Sequence, residues 1–86
     1  MAHYKVEFKA SAAKEFRKLT SEIKARIRKA INALQTDHLP TGVRKLAGET
    51  NLYRIRVGDF RVIYAIDNEA KVLVIMRVRH RRDVYQ

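Results

Sequence analysis

The chain has 86 residues, and its 19 Lys and Arg against 9 Asp and Glu give a formal net charge of +10. This length suits one small domain, residues 1–86, that buries only about 60–65 % of its unfolded surface. The absence of cysteine excludes a disulfide framework or a thiolate metal site, and the longest apolar run, Val72-Leu73-Val74-Ile75-Met76, is far too short to span a bilayer.

From the N-terminus, His3–Lys9 alternates, with Tyr4, Val6 and Phe8 on one side and charged residues on the other. That is the pattern of a strand with one buried face. The opening segment MAHYKVEFK has no apolar signal core, so a soluble cytoplasmic protein with no membrane role is expected. Ser11 can cap a short helix whose inward side is Ala13, Phe16 and Leu19. Thr20 or Ser21 can cap a second, where Ile23, Ile27, Ala30, Ile31 and Leu34 form a stripe of helical period. Lys24, Arg26, Arg28 and Lys29 lie mainly off that stripe and read as a solvated face.

Pro40 and Gly42 end the helical pattern and open a connection of about ten residues. Three strands follow, at about 51–57, 60–67 and 71–79. The order β-α-α-β-β-β predicts an α+β fold. Two N-terminal helices should pack on one face of a small, largely antiparallel four-stranded sheet.

The stretch YRIRVGDFRVIY, residues 53–64, fixes the geometry of the sheet. Gly58-Asp59 is a two-residue turn with Gly first, suited to type II′. Val57 then opposes Phe60, Arg56 opposes Arg61, Ile55 opposes Val62, Arg54 opposes Ile63, and Tyr53 opposes Tyr64. Opposed residues share a face and faces alternate. Tyr53, Ile55, Val57, Phe60, Val62, Tyr64 and Ile66 therefore face the helices. Arg54, Arg56, Arg61, Ile63 and Ala65 face away.

Like charges directly opposite are unfavourable. At about 5 Å, Arg56 and Arg61 repel by about 1 kcal/mol in water and by several times that at a partly buried surface. Asp59 and Glu49 are the nearby acids that could relieve this. The alternative is an anion site. The last strand adds to it: alternation sends Val72, Val74, Met76 and Val78 toward the core, and Leu73, Ile75, Arg77, Arg79 and Arg81 to the open face. Six arginines from three strands then form a phosphate cradle, floored by Ile63, Ala65, Leu73 and Ile75. Of the ten basic residues after position 41, eight are Arg, which matches phosphate as a planar fork. By the same alternation His80 falls on the core side.

No paired carboxylates, phosphate-binding glycine loop or cysteine nucleophile can be placed, and His3, His38 and His80 lack ligand spacing. A phosphodiester could still be cut without metal or cofactor, because RNA supplies its own 2′-OH nucleophile. The protein then needs a base for that proton, cations for the charged transition state, and a group to assist the leaving 5′-oxygen. Tyr85 could stack on a base or hydrogen-bond to the phosphate.

The element order, the stretch KLAG…LYRIRVGDFRVIY (45–64) and the ending RHRRDVY (79–85) together resemble the RelE/ParE superfamily of toxins from toxin–antitoxin pairs. The resemblance covers almost the whole chain. The hairpin is shared by several branches, including the ParE-like one that targets DNA gyrase. The ending is similar to that of the RelE branch, ribosome-dependent mRNA endonucleases. The resemblance implies phosphate-binding roles for Arg54, Arg56 and Arg61, a catalytic role for Arg61 and Arg81, and one for the near-terminal Tyr85. Lys45, Arg77, Arg79 and Arg82 are expected to add to RNA binding. RelE relatives often carry Lys where this chain has Arg54 and Arg56, and Arg in practice does not release its proton. The base therefore falls to His80, if it turns outward, or to Tyr85. The resemblance also implies a cognate antitoxin as partner, with the ribosome and mRNA as targets. Two other readings stay open: a ParE-like gyrase inhibitor and a non-catalytic nucleic-acid-binding module.

Overall fold

A computed structural model of the chain describes residues 3–46, 48 and 51–84. The elements run β1 (Lys5–Phe8), α1 (Ala10–Arg17), α2 (Ser21–Leu34), β2 (Arg44–Lys45), β3 (Leu52–Val57), β4 (Phe60–Asp67), β5 (Val72–His80) and α3 (Arg81–Val84). The fold is α+β, with α1 and α2 against a sheet of order β1-β5-β4-β3-β2. The sheet has five strands rather than the four expected. The additional strand is β2, two residues within the connection after Pro40, too short to carry any alternation. β1 runs parallel to β5 and every other pairing is antiparallel.

α2 follows its apolar stripe. Ile27, Ile31 and Leu34 are buried, Ile23 and Ala30 pack beside them, and Thr20 Oγ1 accepts the Ile23 N–H at 3.4 Å. α1 departs from expectation at its start. Lys9 occupies the cap position without a side-chain bond, and the Ser11 hydroxyl instead donates to the Met76 carbonyl at 3.2 Å. Ala12 is the buried residue of α1, with Phe16 and Leu19 packed against the core.

The β3–β4 register is the one predicted from the two-residue loop. Gly58 has φ +59 and Asp59 is not among the positive-φ residues, which is the type II′ pattern. Ile55, Val62, Tyr64 and Ile66 are buried on the helix side.

β5 corrects the expectation for its first half. A register shift between Ile63 and Tyr64 pairs Ile63 with Arg77 but Tyr64 with Ile75, so Met76 is the extra residue of a bulge. A bulge resets the side-chain parity of its strand. Before it, Leu73 and Ile75 are fully buried on the helix side, while Val72 and Val74 lie half-buried on the other. After it, Val78 is buried, and Arg77 and Arg79 oppose Ile63 and Arg61 on the open face. The floor of that face is therefore Ile63, Ala65 and Val74, not Leu73 and Ile75. Strand alternation also stops short of Arg81, where the chain turns into α3.

At the other end of the core the Tyr64 phenol donates to the His38 carbonyl at 2.7 Å and ties the post-α2 connection to the sheet. Burial, with Tyr53 and Asp37 nearby, holds its pKa well above the ordinary tyrosine range. No helix among the described residues is long and apolar enough to cross a membrane.

Candidate nucleic-acid interface

The open face is built by the hairpin. A tight turn fixes opposite residues, and each arginine of the hairpin falls at a position of the same parity. Arg54 and Arg56 come from β3, Arg61 from β4, and Arg44 joins them because β2 pairs Arg44 with Arg54. With Gly42, these four arginines line a concavity of about 260 Å³. Arg44 was missed by the sequence reading. Only its register against Arg54 reveals it, since a two-residue strand has no pattern of its own. Lys45, expected to add to RNA binding, opposes Tyr53 on the helix-side parity and is exposed.

Among the described residues, no acid relieves the opposed Arg56 and Arg61. Arg56 Nε donates to the Gly58 carbonyl at 3.1 Å, and Arg61 Nη1 donates to the Phe60 carbonyl at 3.4 Å. Asp59 makes no ion pair with them, and Glu49 lies outside the described residues. Among the described residues no carboxylate comes within 4.0 Å of Arg44, Arg54, Arg56 or Arg61. Four cations converge there, two of them held by backbone carbonyls and none paired with a carboxylate among the described residues, and such a site attracts anions.

The turn also fixes the start of α3. The Arg81 N–H donates to the Asp59 carbonyl at 2.7 Å, one residue from the carbonyl that holds Arg56. The hairpin tip therefore brings together the backbone of Arg81 and the guanidinium of Arg56. From the helix side, Arg26 lies over the same turn: a Cβ on Gly58 would stand 3.2 Å from its Nη2. Arg82 is exposed. Tyr85 lies outside the described residues.

His80 is not in the cradle. It opposes Phe60, on the helix-side parity, and its ring meets Phe60 edge-on at 5.3 Å. Its Nδ1 accepts the Arg82 N–H at 3.3 Å. That contact engages Nδ1 with the backbone at the start of α3.

Arg77 and Arg79 share the open face but have a different neighbour. Arg77 Nη2 is 2.9 Å from Glu15 Oε2, and Arg79 Nε is 4.0 Å from the same oxygen. Glu15 comes from α1 and had not been singled out in the sequence. No spacing rule links it to residues more than sixty positions away.

Comparison with known proteins places the chain. The family model for the ParE toxin of type II toxin–antitoxin systems matches residues 6–85. The chain belongs to the RelE/ParE superfamily of toxins. Within this superfamily it is 36 % identical to toxin RelG of Mycobacterium tuberculosis, over 96 % of this chain and 97 % of that one. The RelE–RelB complex of Pyrococcus horikoshii superposes with a TM-score of 0.81 at 30 % identity, covering 94 % of this chain and 97 % of the other. The isolated RelE toxin of Escherichia coli gives a TM-score of 0.81 at 27 % identity, covering 95 % and 90 %. The superfamily accounts for the order of the elements and the sheet on which the arginines stand.

Proposed function

We propose that this toxin is a RelE-like, ribosome-dependent endoribonuclease that cuts mRNA in the A site, needs no metal or small-molecule cofactor, and is neutralised by a cognate antitoxin. The observation that carries this reading is the group of four arginines around one concavity, on three adjacent strands, with no carboxylate in reach among the described residues. Rigid strands hold cations where a phosphate must be held, which is what a charged transition state requires.

In this reading the cradle grips the RNA backbone through Arg44, Arg54 and Arg56. Arg61 binds the non-bridging oxygens of the scissile phosphate, and Arg82 extends the contact along the strand. The 2′-oxygen forms a new bond to phosphorus while the bond to the 5′-oxygen breaks. Charge builds on the phosphorane-like centre, where guanidinium donors stabilise it. His80, turned to Phe60 with Nδ1 engaged, is poorly placed to take the 2′-OH proton. We assign that step to Tyr85 acting as its phenolate, which takes up the 2′-OH proton to become the phenol; it lies four residues beyond the docked backbone of Arg81. Arg81 steadies the departing 5′-oxygen, which is protonated from solvent. The products are a 2′,3′-cyclic phosphate and a 5′-hydroxyl.

The antitoxin follows from the relatives and from charge. The P. horikoshii RelE was crystallised with RelB. A +10 surface suits an acidic partner segment. The match to the ParE family model favours a second reading, inhibition of DNA gyrase without chemistry.

The test maps mRNA 5′ ends in a purified translation reaction, using protein stripped of metal, with Arg81→Ala alongside. New ends inside A-site codons that require ribosomes and vanish in the variant support the endonuclease. Intact mRNA together with loss of gyrase supercoiling would establish the second reading.

A further inference from the structure

The arginine face is divided by Glu15. β1 pairs with β5 only as far as Ile75, so the last residues of β5 have no strand on that side. α1 fills the gap. Lys9 N–H donates to the Ile75 carbonyl, the Ser11 hydroxyl to the Met76 carbonyl, and the Val78 N–H donates to Glu15 Oε1 at 2.8 Å. Glu15 thus takes the place of the next β1 residue. Its other oxygen holds Arg77 at 2.9 Å and stands 4.0 Å from Arg79. Arg77 is drawn in far enough that its Nε is buried without a partner. Such a group is costly to keep unless the rest of the guanidinium is held firmly.

We propose that Glu15 is a positioning residue that keeps Arg77 out of the polyanion site, by holding it as a structural cation through a direct hydrogen bond. The backbone bond to Val78 fixes the carboxylate, so it cannot swing away as a surface glutamate would. A phosphate reaching Arg77 has to displace an anion that is already hydrogen-bonded. The neighbouring cradle has no such competitor among the described residues. The proposal rests on the cradle's binding RNA and does not require cleavage.

Salt dependence of binding counts the phosphates a protein neutralises, at a slope of about −0.7 per contact for single strands. The probe is a labelled 2′-O-methyl uridine oligomer, which cannot be cut by 2′-oxygen attack. Arg61→Ala should make the slope of log K against log salt shallower by about 0.7. Arg77→Ala should leave it unchanged. Glu15→Gln keeps an acceptor for Val78 but frees Arg77, and should steepen the slope by about 0.7. Arg77→Ala added to Glu15→Gln should remove that gain. A slope that Arg77→Ala lowers as much as Arg61→Ala does would overturn the proposal, as would a Glu15→Gln slope equal to that of the wild type. Failure of ribosomal cleavage with this pattern intact counts against the endonuclease reading alone.

Discussion

The two faces of one sheet carry opposite burdens. Toward the helices lie Val62, Tyr64, Leu73 and Ile75, all fully buried. One residue along each strand, the other face carries Arg54, Arg56, Arg61, Arg77 and Arg79. The separation teaches that a chain of this size can concentrate positive charge without giving up its core, because a two-residue turn fixes the parity of both faces together. The covered face should therefore govern stability and the open face binding.

The largest expected effect comes from crossing that division. Val62→Asp puts an unpaired carboxylate into the fully buried centre and should cost more than about 4 kcal/mol, enough to abolish the urea unfolding transition. Tyr64→Phe removes the bond to the His38 carbonyl and leaves that acceptor unsatisfied, at a cost of about 1–2 kcal/mol read from the urea midpoint. The same variant should change the alkaline limb. The folded state keeps the Tyr64 proton at a pH where the unfolded chain has released it. The contribution of Tyr64 is thus whole below about pH 10 and is lost as pH rises further. Wild type should accordingly lose more stability above that pH than Tyr64→Phe does.

Gly58→Ala forces a side chain onto φ +59 and should cost about 1 kcal/mol. The approach to Arg26 adds little, because the far end of a flexible side chain can yield. The smallest effect has the opposite sign. Arg56→Gln relieves the opposed charges and should raise stability by about 0.2–1 kcal/mol while weakening RNA binding. A loss of stability in Arg56→Gln would mean that Arg56 serves the fold and would blur the comparison.

Much of this layout was legible in the residues. The hairpin could be read to the residue because Gly58-Asp59 leaves one register, and α2 because five apolar residues keep the helical period along it. Three features were not legible. The bulge at Met76 falls in an apolar run that fits either parity, so the burial of Leu73 and Ile75 was assigned to the wrong face. β2 has two residues and no period, which hides Arg44. Glu15 acts on Val78 and Arg77 across the fold, and only the ending of β1 short of Met76 brings it there. Sequence patterns report a strand's own alternation. They do not report what finishes its edge.

The most direct measurement is ribosome-dependent mRNA cleavage by Arg61→Ala, at a concentration of folded protein matched to wild type by its urea transition. Arg61 has no acidic partner among the described residues and stands beside the cradle's floor. Losing a preorganised cation at the reacting phosphate should reduce cleavage by about 10²-fold or more, with the urea midpoint unchanged or slightly raised. Cleavage at the wild-type rate, or a loss that follows a lowered midpoint, would contradict the assignment of chemistry to the open face.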